Sequence, residues 1–296
     1  MHDAIVVGGS YAGLAAALQL ARARRDILVI DAGQRRNRFA SHSHGYLTQD
    51  GIDPAAIAAT ARAQVAAYPN VGWRPVRATK ASGSRDDFSV TLETGETARG
   101  RRLILALGVN DELPGLPGLA ERWGSAVFHC PYCHGYELGD GPIGVLSVGP
   151  NSIHQAMMLP DWGKTTYLLN GQPEPSATEL AELEHRGAEI ERTPVVRLVG
   201  DNADAELADG RILPLKGLFT ATRTTPQSDL AVQLGCGIAE HPGGTYIATD
   251  AMKATTVPGV FATGDAARPF GSVTFAVGDG AQAGFSTHRS LLFPDM

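Results

Sequence analysis

Alternating blocks of apolar and mixed residues predict a strand, a helix and a strand near the start of this chain. An apolar run at residues 4–7 ends in glycines, an alanine-rich stretch covers residues 12–24, and a second apolar run covers residues 27–30. Short apolar runs that are bounded by turn residues are typical of buried strands. The stretch between them carries Leu14 and Leu18, whose spacing of four residues is typical of a helix.

The same order of elements recurs in the middle of the chain. Residues 143–148 are largely apolar, a helix-like stretch with two adjacent methionines follows, and residues 165–169 have the pattern of the next strand. The chain therefore contains two strand–helix–strand units.

Turn-rich stretches separate these units and indicate the domain boundaries. The sequence LPGLPGL occupies residues 113–119, and a second stretch of this kind covers residues 241–245. We expect an α/β protein with two Rossmann-like, three-layer dinucleotide-binding domains, the second inserted into the first. The first domain is expected to comprise residues 1–111 and 245–296, and the inserted domain residues 112–244.

Composition and charge exclude several classes of protein. A hydrophobic content of 43% with 19% charged residues is typical of a soluble globular protein. The net charge is -6, and the sequence has no run of basic residues that would favour binding to nucleic acid or to an anionic membrane surface. No apolar run is long enough to span a bilayer, and the N-terminal residues lack the pattern of a signal peptide. We therefore expect no membrane or nucleic-acid partner and a cytoplasmic location.

The first strand-to-helix turn carries a dinucleotide-binding motif. GGSYAG matches GxGxxG, with serine in place of the second glycine. In this motif, the glycines make the turn, admit the pyrophosphate and let the helix pack on the strand. Asp31 follows the second strand, where a carboxylate can bind an adenosine ribose. A tight turn without a ligand is the alternative, but the strand, helix and acid all favour binding. The candidate residues in the turn are Gly8, Ser10, Tyr11, Ala12 and Gly13.

Two of the three cysteines form a CxxC, Cys130 and Cys133. So few cysteines exclude a disulfide scaffold and favour a catalytic or metal role. A thiolate at a helix N-terminus has a lowered pKa, and this spacing suits reversible closure of a disulfide. Zinc is disfavoured because Cys236 is the only further cysteine, and we expect no metal site. His42 and His44 are interpreted as part of a solvated loop.

Together, GGSYAG, the CxxC between the two units and FATGD at residues 261–265 resemble the low-molecular-weight thioredoxin reductase superfamily over nearly the whole chain. The resemblance implies that the protein binds FAD and forms a homodimer. It further implies that Asp265, after Gly264, lies against the ribityl chain, and that a helix start around Val273 and Thr274 approaches the flavin ring.

The stretch CPYCHGYE is most similar to the branch that contains the gliotoxin and holomycin dithiol oxidases, which pass electrons through FAD to oxygen. This similarity implies that Cys130 exchanges with substrate thiols while Cys133 faces the flavin. It also implies that His134 acts as a base and that Asn37 lies near the flavin and the histidine. The expected substrate is a small-molecule dithiol or a small redox protein.

The second unit departs from the reductase pattern at its own turn. Residues 147–152 read SVGPNS and keep a single glycine, and the next strand ends at Asn170 without the acid or arginines that would hold a nucleotide ribose or 2′-phosphate. This pattern disfavours NADPH or NADH. Two alternatives stay open: a thioredoxin reductase that accepts NADPH or NADH at a degenerate site, and a flavin-binding redox sensor without turnover.

Overall fold

The structure is a computed structural model that describes residues 1–293, and the chain in it divides into two compact units. The first unit contains Met1–Arg38, Tyr46–Asn110 and the chain from Thr224 onward, and the second contains Phe39–Gly45 and Asp111–Arg223. We refer to them as the first unit and the second unit.

Both predicted strand–helix–strand units are present, as the first two strands with the first helix and as the strands and helix between residues 140 and 168. The strands of the described residues are β1 (His2–Val7), β2 (Ile27–Ile30), β3 (Val71–Arg74), β4 (Ala78–Ser84), β5 (Asp87–Leu92), β6 (Thr97–Leu105), β7 (Val109–Glu112), β8 (Val127–Phe128), β9 (Asp140–Leu146), β10 (Gly163–Leu168), β11 (Glu189–Glu191), β12 (Val195–Val199), β13 (Asp204–Leu207), β14 (Ile212–Leu213), β15 (Gly217–Thr220), β16 (Arg223–Pro226), β17 (Ile238–His241), β18 (Gly244–Ile247) and β19 (Val260–Ala262). The α-helices are α1 (Tyr11–Arg22), α2 (Pro54–Ala66), α3 (Pro131–His134), α4 (Ser152–Met158), α5 (Ala177–His185), α6 (Leu230–Gln233) and α7 (Val273–Leu292). Within residues 1–293, no helix has the length and apolar character needed to cross a membrane.

The first unit is built on a sheet with the order β3-β2-β1-β6-β5-β4, in which β19 also pairs with β6. The strands β3, β2, β1, β6 and β19 run parallel, whereas β5 runs antiparallel to both of its neighbours, β6 and β4. Side chains of β1 alternate between the two faces. Ala4 and Val6 pack with the helices α1, α2 and α7, and Ile5 and Val7 pack with β4, β5 and α6. Burial on both faces explains the continuous apolar runs of the parallel strands.

Helices α1 and α7 cross in close contact on one face of this sheet. A Cβ atom on Gly280 would overlap the carbonyl oxygen of Ala12, and one on Gly284 would lie 2.7 Å from that of Ala16. The missing side chains therefore let the two backbones meet, and α7 fixes the position of the N-terminal half of α1.

The second unit has a parallel sheet with the order β11-β10-β9-β15-β8. Helices α4 and α5 cover one face through residues such as Ile153 and Leu183. The antiparallel strands β12, β13 and β14 cover the other through residues such as Leu198 and Ala205. The sheet of the first unit is thus mixed and that of the second is parallel, and both faces of each sheet are buried. The predicted α/β fold class is confirmed.

The second crossing between the units lies earlier than the predicted boundary. Residues 224–244, which the sequence assigned to the inserted domain, belong to the first unit. The reason is long-range packing: Leu230, Ala231 and Cys236 are buried in the core below β1 and β6. In addition, β17 pairs with β18. Turn residues at 241–245 therefore mark a hairpin instead of a boundary.

Candidate active site

The predicted dinucleotide turn of the first unit is shaped by two glycines. Gly8 follows β1 with φ of +104°, and a Cβ there would overlap the carbonyl oxygen of Ala106. A Cβ on Gly13 would overlap the carbonyl oxygen of Gly8, where α1 packs against the strand end. Both positions therefore exclude a side chain, for the reasons that the motif requires.

The start of α1 leaves its backbone donors without a side-chain cap. Ser10 is the N-cap residue and has extended backbone, and its hydroxyl caps no N–H group. At the start of α7, by contrast, the Ser272 hydroxyl accepts a hydrogen bond from the Phe275 N–H at 3.1 Å. Open N–H groups at the start of a long helix bind anions such as phosphate. Tyr11 and Ala12 begin this open turn.

Asp31 lies beside the same turn. It follows β2, and a Cβ on Gly9 would lie 2.8 Å from the Asp31 Cβ and 2.5 Å from the Trp73 ring. A carboxylate, two side-chain-free glycines and an uncapped helix start thus meet at one place. These residues fit the adenosine and pyrophosphate of a dinucleotide such as FAD.

Asn37 is held by the side chain of Tyr11 within the first unit. Its Nδ2 donates to the Tyr11 hydroxyl at 3.2 Å, and that hydroxyl donates to the Pro54 carbonyl at 2.9 Å. Burial raises the pKa of Tyr11, so the phenol stays protonated. The sequence placed Asn37 near the cofactor, and the structure ties it to a residue of the dinucleotide turn.

The FATGD motif ends in an ion pair that the sequence did not reveal. Arg36 Nη1 lies 2.8 Å from Asp265 Oδ2, and both side chains are about four-fifths buried. Gly264 precedes Asp265 with φ of +69° in a 3-10 turn, and α7 begins at Val273, followed by Thr274, as predicted. The two partners are 229 residues apart. The only local signal for Arg36 is its place in the basic run next to Asn37.

In the second unit, Cys130 and Cys133 are joined in a disulfide. Cys130 is the N-cap of α3, a single turn that starts with Pro131, and the Cys133 N–H donates to the Cys130 carbonyl at 3.2 Å. Proline at the first helical position fixes the turn without losing a hydrogen bond. Both cysteines are half-buried, which leaves the disulfide accessible to small reactants.

His134 ends the same turn and is neutral at pH 7. Its ring stacks on Phe128, with 4.3 Å between centroids and 20° between planes. Burial, assisted by the nearby His44, lowers the pKa of His134 from 6.5 to about 4. A neutral imidazole can accept a proton, so the arrangement places a base one residue after Cys133.

The solvated-loop interpretation holds for His42 and is wrong for His44. Residues 39–45 group with the second unit, His42 is exposed, and the side chain of His44 is only 19% exposed. Its Nδ1 lies 3.4 Å from Oε1 of Glu137, three residues after His134. No local pattern indicates this contact, because the two residues are far apart along the chain.

The strand-to-helix turn of the second unit is filled by its own side chains. Ser147 is buried and its hydroxyl lies 3.0 Å from the Tyr167 hydroxyl, while the buried Ser152 hydroxyl accepts a hydrogen bond from the Val148 N–H at 3.0 Å. Asn170 Oδ1 accepts from the first N–H of β12 at 3.1 Å. The side chains of Ser147, Ser152 and Asn170 and the Val148 N–H are therefore engaged within the protein, whereas Asn151 at the start of α4 forms no side-chain cap.

Comparison with known proteins agrees with this arrangement. Residues 2–280 match the family described as pyridine nucleotide-disulphide oxidoreductase. Thioredoxin reductase aclD of Aspergillus oryzae is 32% identical over 309 residues, covering 100% of this chain and 98% of the relative. The crystal structure of an oxidoreductase from Agrobacterium tumefaciens superposes with a TM-score of 0.97 at 56% identity, covering 99% of both chains. The crystal structure of HlmI superposes with a TM-score of 0.92 at 35% identity, covering 99% of this chain and 93% of HlmI.

The extent of these matches confirms the resemblance inferred from GGSYAG, the CxxC and FATGD. It also supports FAD as the cofactor, whereas it leaves the use of NADPH open. The chain belongs to the pyridine nucleotide-disulphide oxidoreductase family, among the thioredoxin reductase-like flavoproteins that act on sulfur groups.

Proposed function

We propose that this protein oxidises a small dithiol, passing two electrons from it to the Cys130–Cys133 disulfide and then through FAD to oxygen. The observation that carries the proposal is a disulfide closed within one helical turn and followed directly by a buried, neutral imidazole. In this proposal, the first unit is the FAD-binding domain and the second unit is the inserted domain that carries the reactive cysteines.

The exchange proceeds in two balanced steps. A substrate thiolate attacks Cys130, forms a mixed disulfide and releases Cys133 as a thiolate. The second substrate thiol, once deprotonated, attacks the substrate sulfur of that mixed disulfide, so that the substrate disulfide closes and Cys130 leaves as a thiolate. Two electrons have then moved from the substrate to the cysteine pair, and two protons have been released. The assignment of Cys130 to the substrate and Cys133 to the flavin follows the family resemblance.

His134 is the proposed acceptor of a substrate thiol proton. Because its pKa is about 4, the ring is unprotonated over the whole physiological range, and its basicity must be raised by the substrate before it takes a thiol proton. Formation of a thiolate beside the ring favours the imidazolium, since opposite charges at close range stabilise each other. The stacking on Phe128 fixes the plane of the ring next to the disulfide turn.

The first unit offers the residues that would hold FAD. The pyrophosphate would lie at the uncapped start of α1, the adenosine ribose at Asp31, and the ribityl chain at Asp265. When bound, FAD would supply the two-electron acceptor for the cysteine thiolates as their disulfide re-forms. Together with the two protons released in the exchange, these electrons would reduce oxygen to hydrogen peroxide. The residues proposed for this site are Gly8, Ser10, Tyr11, Ala12, Gly13, Asp31, Gly264, Asp265, Val273 and Thr274, with Asn37 beside them.

The second candidate is disulfide reduction at the expense of NADPH or NADH. The names of relatives such as thioredoxin reductase aclD favour it. The contacts of Ser147 and Ser152 weigh against it, because a pyrophosphate needs open backbone donors and close approach at that turn. The absence of a charge partner for the 2′-phosphate at the end of β10 weighs against NADPH in the same way.

Aerobic turnover with dithiothreitol tests the proposal. The yellow holoenzyme is expected to consume one oxygen and to form one hydrogen peroxide for each disulfide, and Cys133→Ser is the control without a closable disulfide. Oxidation that requires NADP⁺ or NAD⁺ instead of oxygen would contradict the proposal. A small redox protein as substrate, the homodimer and the cytoplasmic location stay predictions.

A further inference from the structure

A groove of about 350 Å³ lies in the second unit beside the CxxC turn. Its apolar walls are Tyr132, Met157, Met158 and Trp162. Tyr132, which stands between the two cysteines, is 73% exposed, and its ring meets that of Trp162 edge to face at 5.3 Å between centroids. One wall of the groove is therefore part of the reactive turn itself.

Two contacts hold the residues before and after the CxxC against the groove. Gly135 packs flat on Trp162, since a Cβ there would lie 2.7 Å from the indole Cδ1. On the other side, Gln155 Nε2, on the helix that carries Met158, donates to the carbonyl of His129 at 2.8 Å. His129 directly precedes Cys130, so the residues on both sides of the CxxC are held against the groove.

The lining and the size of the groove indicate which class of ligand fits it. Methionine side chains adapt to irregular apolar shapes, and exposed aromatic rings offer flat surfaces for stacking. A volume of about 350 Å³ is at the low end of the range of small-molecule sites, which is roughly 300 to 1,000 Å³. The groove therefore suits a small apolar or ring-containing molecule better than a folded protein.

The charged residues that line the groove favour a ligand without negative charge. Arg186 donates to Asp161 Oδ1 at 2.8 Å and to the Met157 carbonyl at 3.0 Å, so its guanidinium is already engaged. Glu182 also lines the groove and forms no ion pair with any residue in the described part of the chain. His154 is the remaining polar residue of the lining. Of the carboxylates and the guanidinium that line the groove, one carboxylate is in excess, so a carboxylate on a ligand would be repelled.

We propose that this groove holds the uncharged, apolar body of a small dithiol while one of its sulfur atoms attacks Cys130 and the other then closes the substrate disulfide. The inference rests on the proposed dithiol oxidation and specifies its substrate class. The exchange itself is the balanced two-electron transfer given above, and the groove adds affinity through the body of the substrate.

The test compares three dithiols on the FAD-loaded enzyme at low ionic strength, by oxygen consumption. Dithiothreitol has no body to fill the groove, dihydrolipoamide has an apolar uncharged tail, and dihydrolipoate has the same tail with a carboxylate. We expect kcat/KM for dihydrolipoamide to exceed that for dithiothreitol by about tenfold or more, from burial of two or more methylene groups. Met158→Asp should reduce this ratio to about one, by placing a charge on the apolar wall.

A matched pair of variants on α5 tests the charge argument. Glu182→Gln should raise kcat/KM for dihydrolipoate relative to dihydrolipoamide about threefold, a size typical of exposed charge pairs. Glu184→Gln makes the same chemical change two residues away, on the opposite side of the helix, and should leave that ratio unchanged. Both glutamates are exposed, so neither variant is expected to affect folding.

The outcomes separate this inference from the proposed function. If all three dithiols are oxidised at similar kcat/KM and neither Met158→Asp nor Glu182→Gln changes the ratios, dithiol oxidation stands and the groove inference is wrong. Rapid oxidation of reduced thioredoxin, with indifference to Met158→Asp, would also overturn the groove inference. If no dithiol is oxidised, the proposed function itself fails.

Discussion

The strand-to-helix turns of the first and second units have the same place in their βαβ motifs but are filled differently. In the first unit, Gly8 and Gly13 carry no side chain and Ser10 caps nothing, so backbone donors stay open. In the second unit, the Ser152 hydroxyl takes the Val148 N–H as its own partner. Asn151, the N-cap of α4, forms no side-chain cap either, so the two turns differ in the loop before the helix, where the Val148 N–H is already bonded and is not open to a phosphate. The comparison supports the proposal that the first unit binds the cofactor and the second carries the thiol chemistry.

The largest effect is expected at the cysteines. Cys130→Ser and Cys133→Ser should each lower dithiol turnover by about a thousandfold or more, because one thiol alone cannot close an intramolecular disulfide. Flavin content should stay unchanged, since both cysteines belong to the second unit. Steady-state oxygen uptake and the flavin absorbance of the purified variants measure the two quantities. Near-normal turnover in either variant would show that dithiol oxidation does not require the CxxC disulfide.

Replacement of His134 is expected to have the next largest effect. His134→Gln should lower kcat/KM by about a hundredfold, the lower range for loss of a general base. The wild-type rate should show no loss from His134 protonation between about pH 8 and pH 5.5, because the pKa of this residue is about 4. A rate that falls with an apparent pKa near 6.5 in wild type, but not in His134→Gln, would contradict this assignment.

The same residue gives a pH-dependent stability with a defined sign. Burial lowers the His134 pKa from 6.5 to about 4, so between these values the unfolded chain binds more protons than the folded protein. The contribution of His134 to stability is complete above pH 6.5 and is lost as the pH falls toward 4. Between about pH 7.5 and pH 5, the melting temperature of His134→Gln should therefore drop less than that of wild type.

A pair of glycine substitutions sharpens the assignment of the first turn. Gly13→Ala should weaken FAD binding by about tenfold to a hundredfold, because its Cβ overlaps the Gly8 carbonyl oxygen and must displace backbone. Gly278→Ala is the control: it lies exposed within α7, with open space around it, and should stabilise the protein by about 0.5 to 1 kcal/mol. Fluorescence titration of the apoprotein with FAD measures the affinity. Equal affinities in both variants would contradict the site.

The smallest expected effects are those of replacing Ser10 and Ser152, one serine from each strand-to-helix turn. Ser152→Ala leaves the Val148 N–H without its acceptor and should lower the stability of the second unit by about 1 kcal/mol. Ser10→Ala removes no intramolecular hydrogen bond and should change stability by less than about 0.5 kcal/mol. Hydrogen exchange of the β1 amides measures the stability of the first unit, and exchange of the β9 amides measures that of the second. If Ser10→Ala and Ser152→Ala caused the same loss of protection in their own units, the proposed difference between the two turns would be contradicted.

Local patterns predicted what depends on neighbouring residues. The strand at Ile27–Ile30 and the glycine turn follow from short apolar runs and glycines, whereas the helix start at Val273 was implied by the family resemblance. The strand and the glycine turn are decided by backbone sterics and by burial within a few residues of the chain.

Contacts between distant residues could not be predicted. Arg36 meets Asp265 across 229 residues, His44 reaches Glu137, and residues 224–244 join the first unit through core packing. The partner of Ser147, Tyr167, lies on the next strand and left no mark in the motif itself. Such contacts are fixed by sheet order and by the path of the chain, which a periodic pattern does not contain.

Anaerobic stopped-flow reduction of the FAD-loaded enzyme tests the central claim most directly. The flavin absorbance is followed after mixing with dihydrolipoamide, NADPH or NADH, and then after admission of oxygen. The account predicts fast, saturable bleaching by the dithiol, slow or no bleaching by either nicotinamide nucleotide, and full recovery with oxygen. Rapid, saturable bleaching by micromolar NADPH, with a slow response to the dithiol, would contradict it and would make disulfide reduction the function.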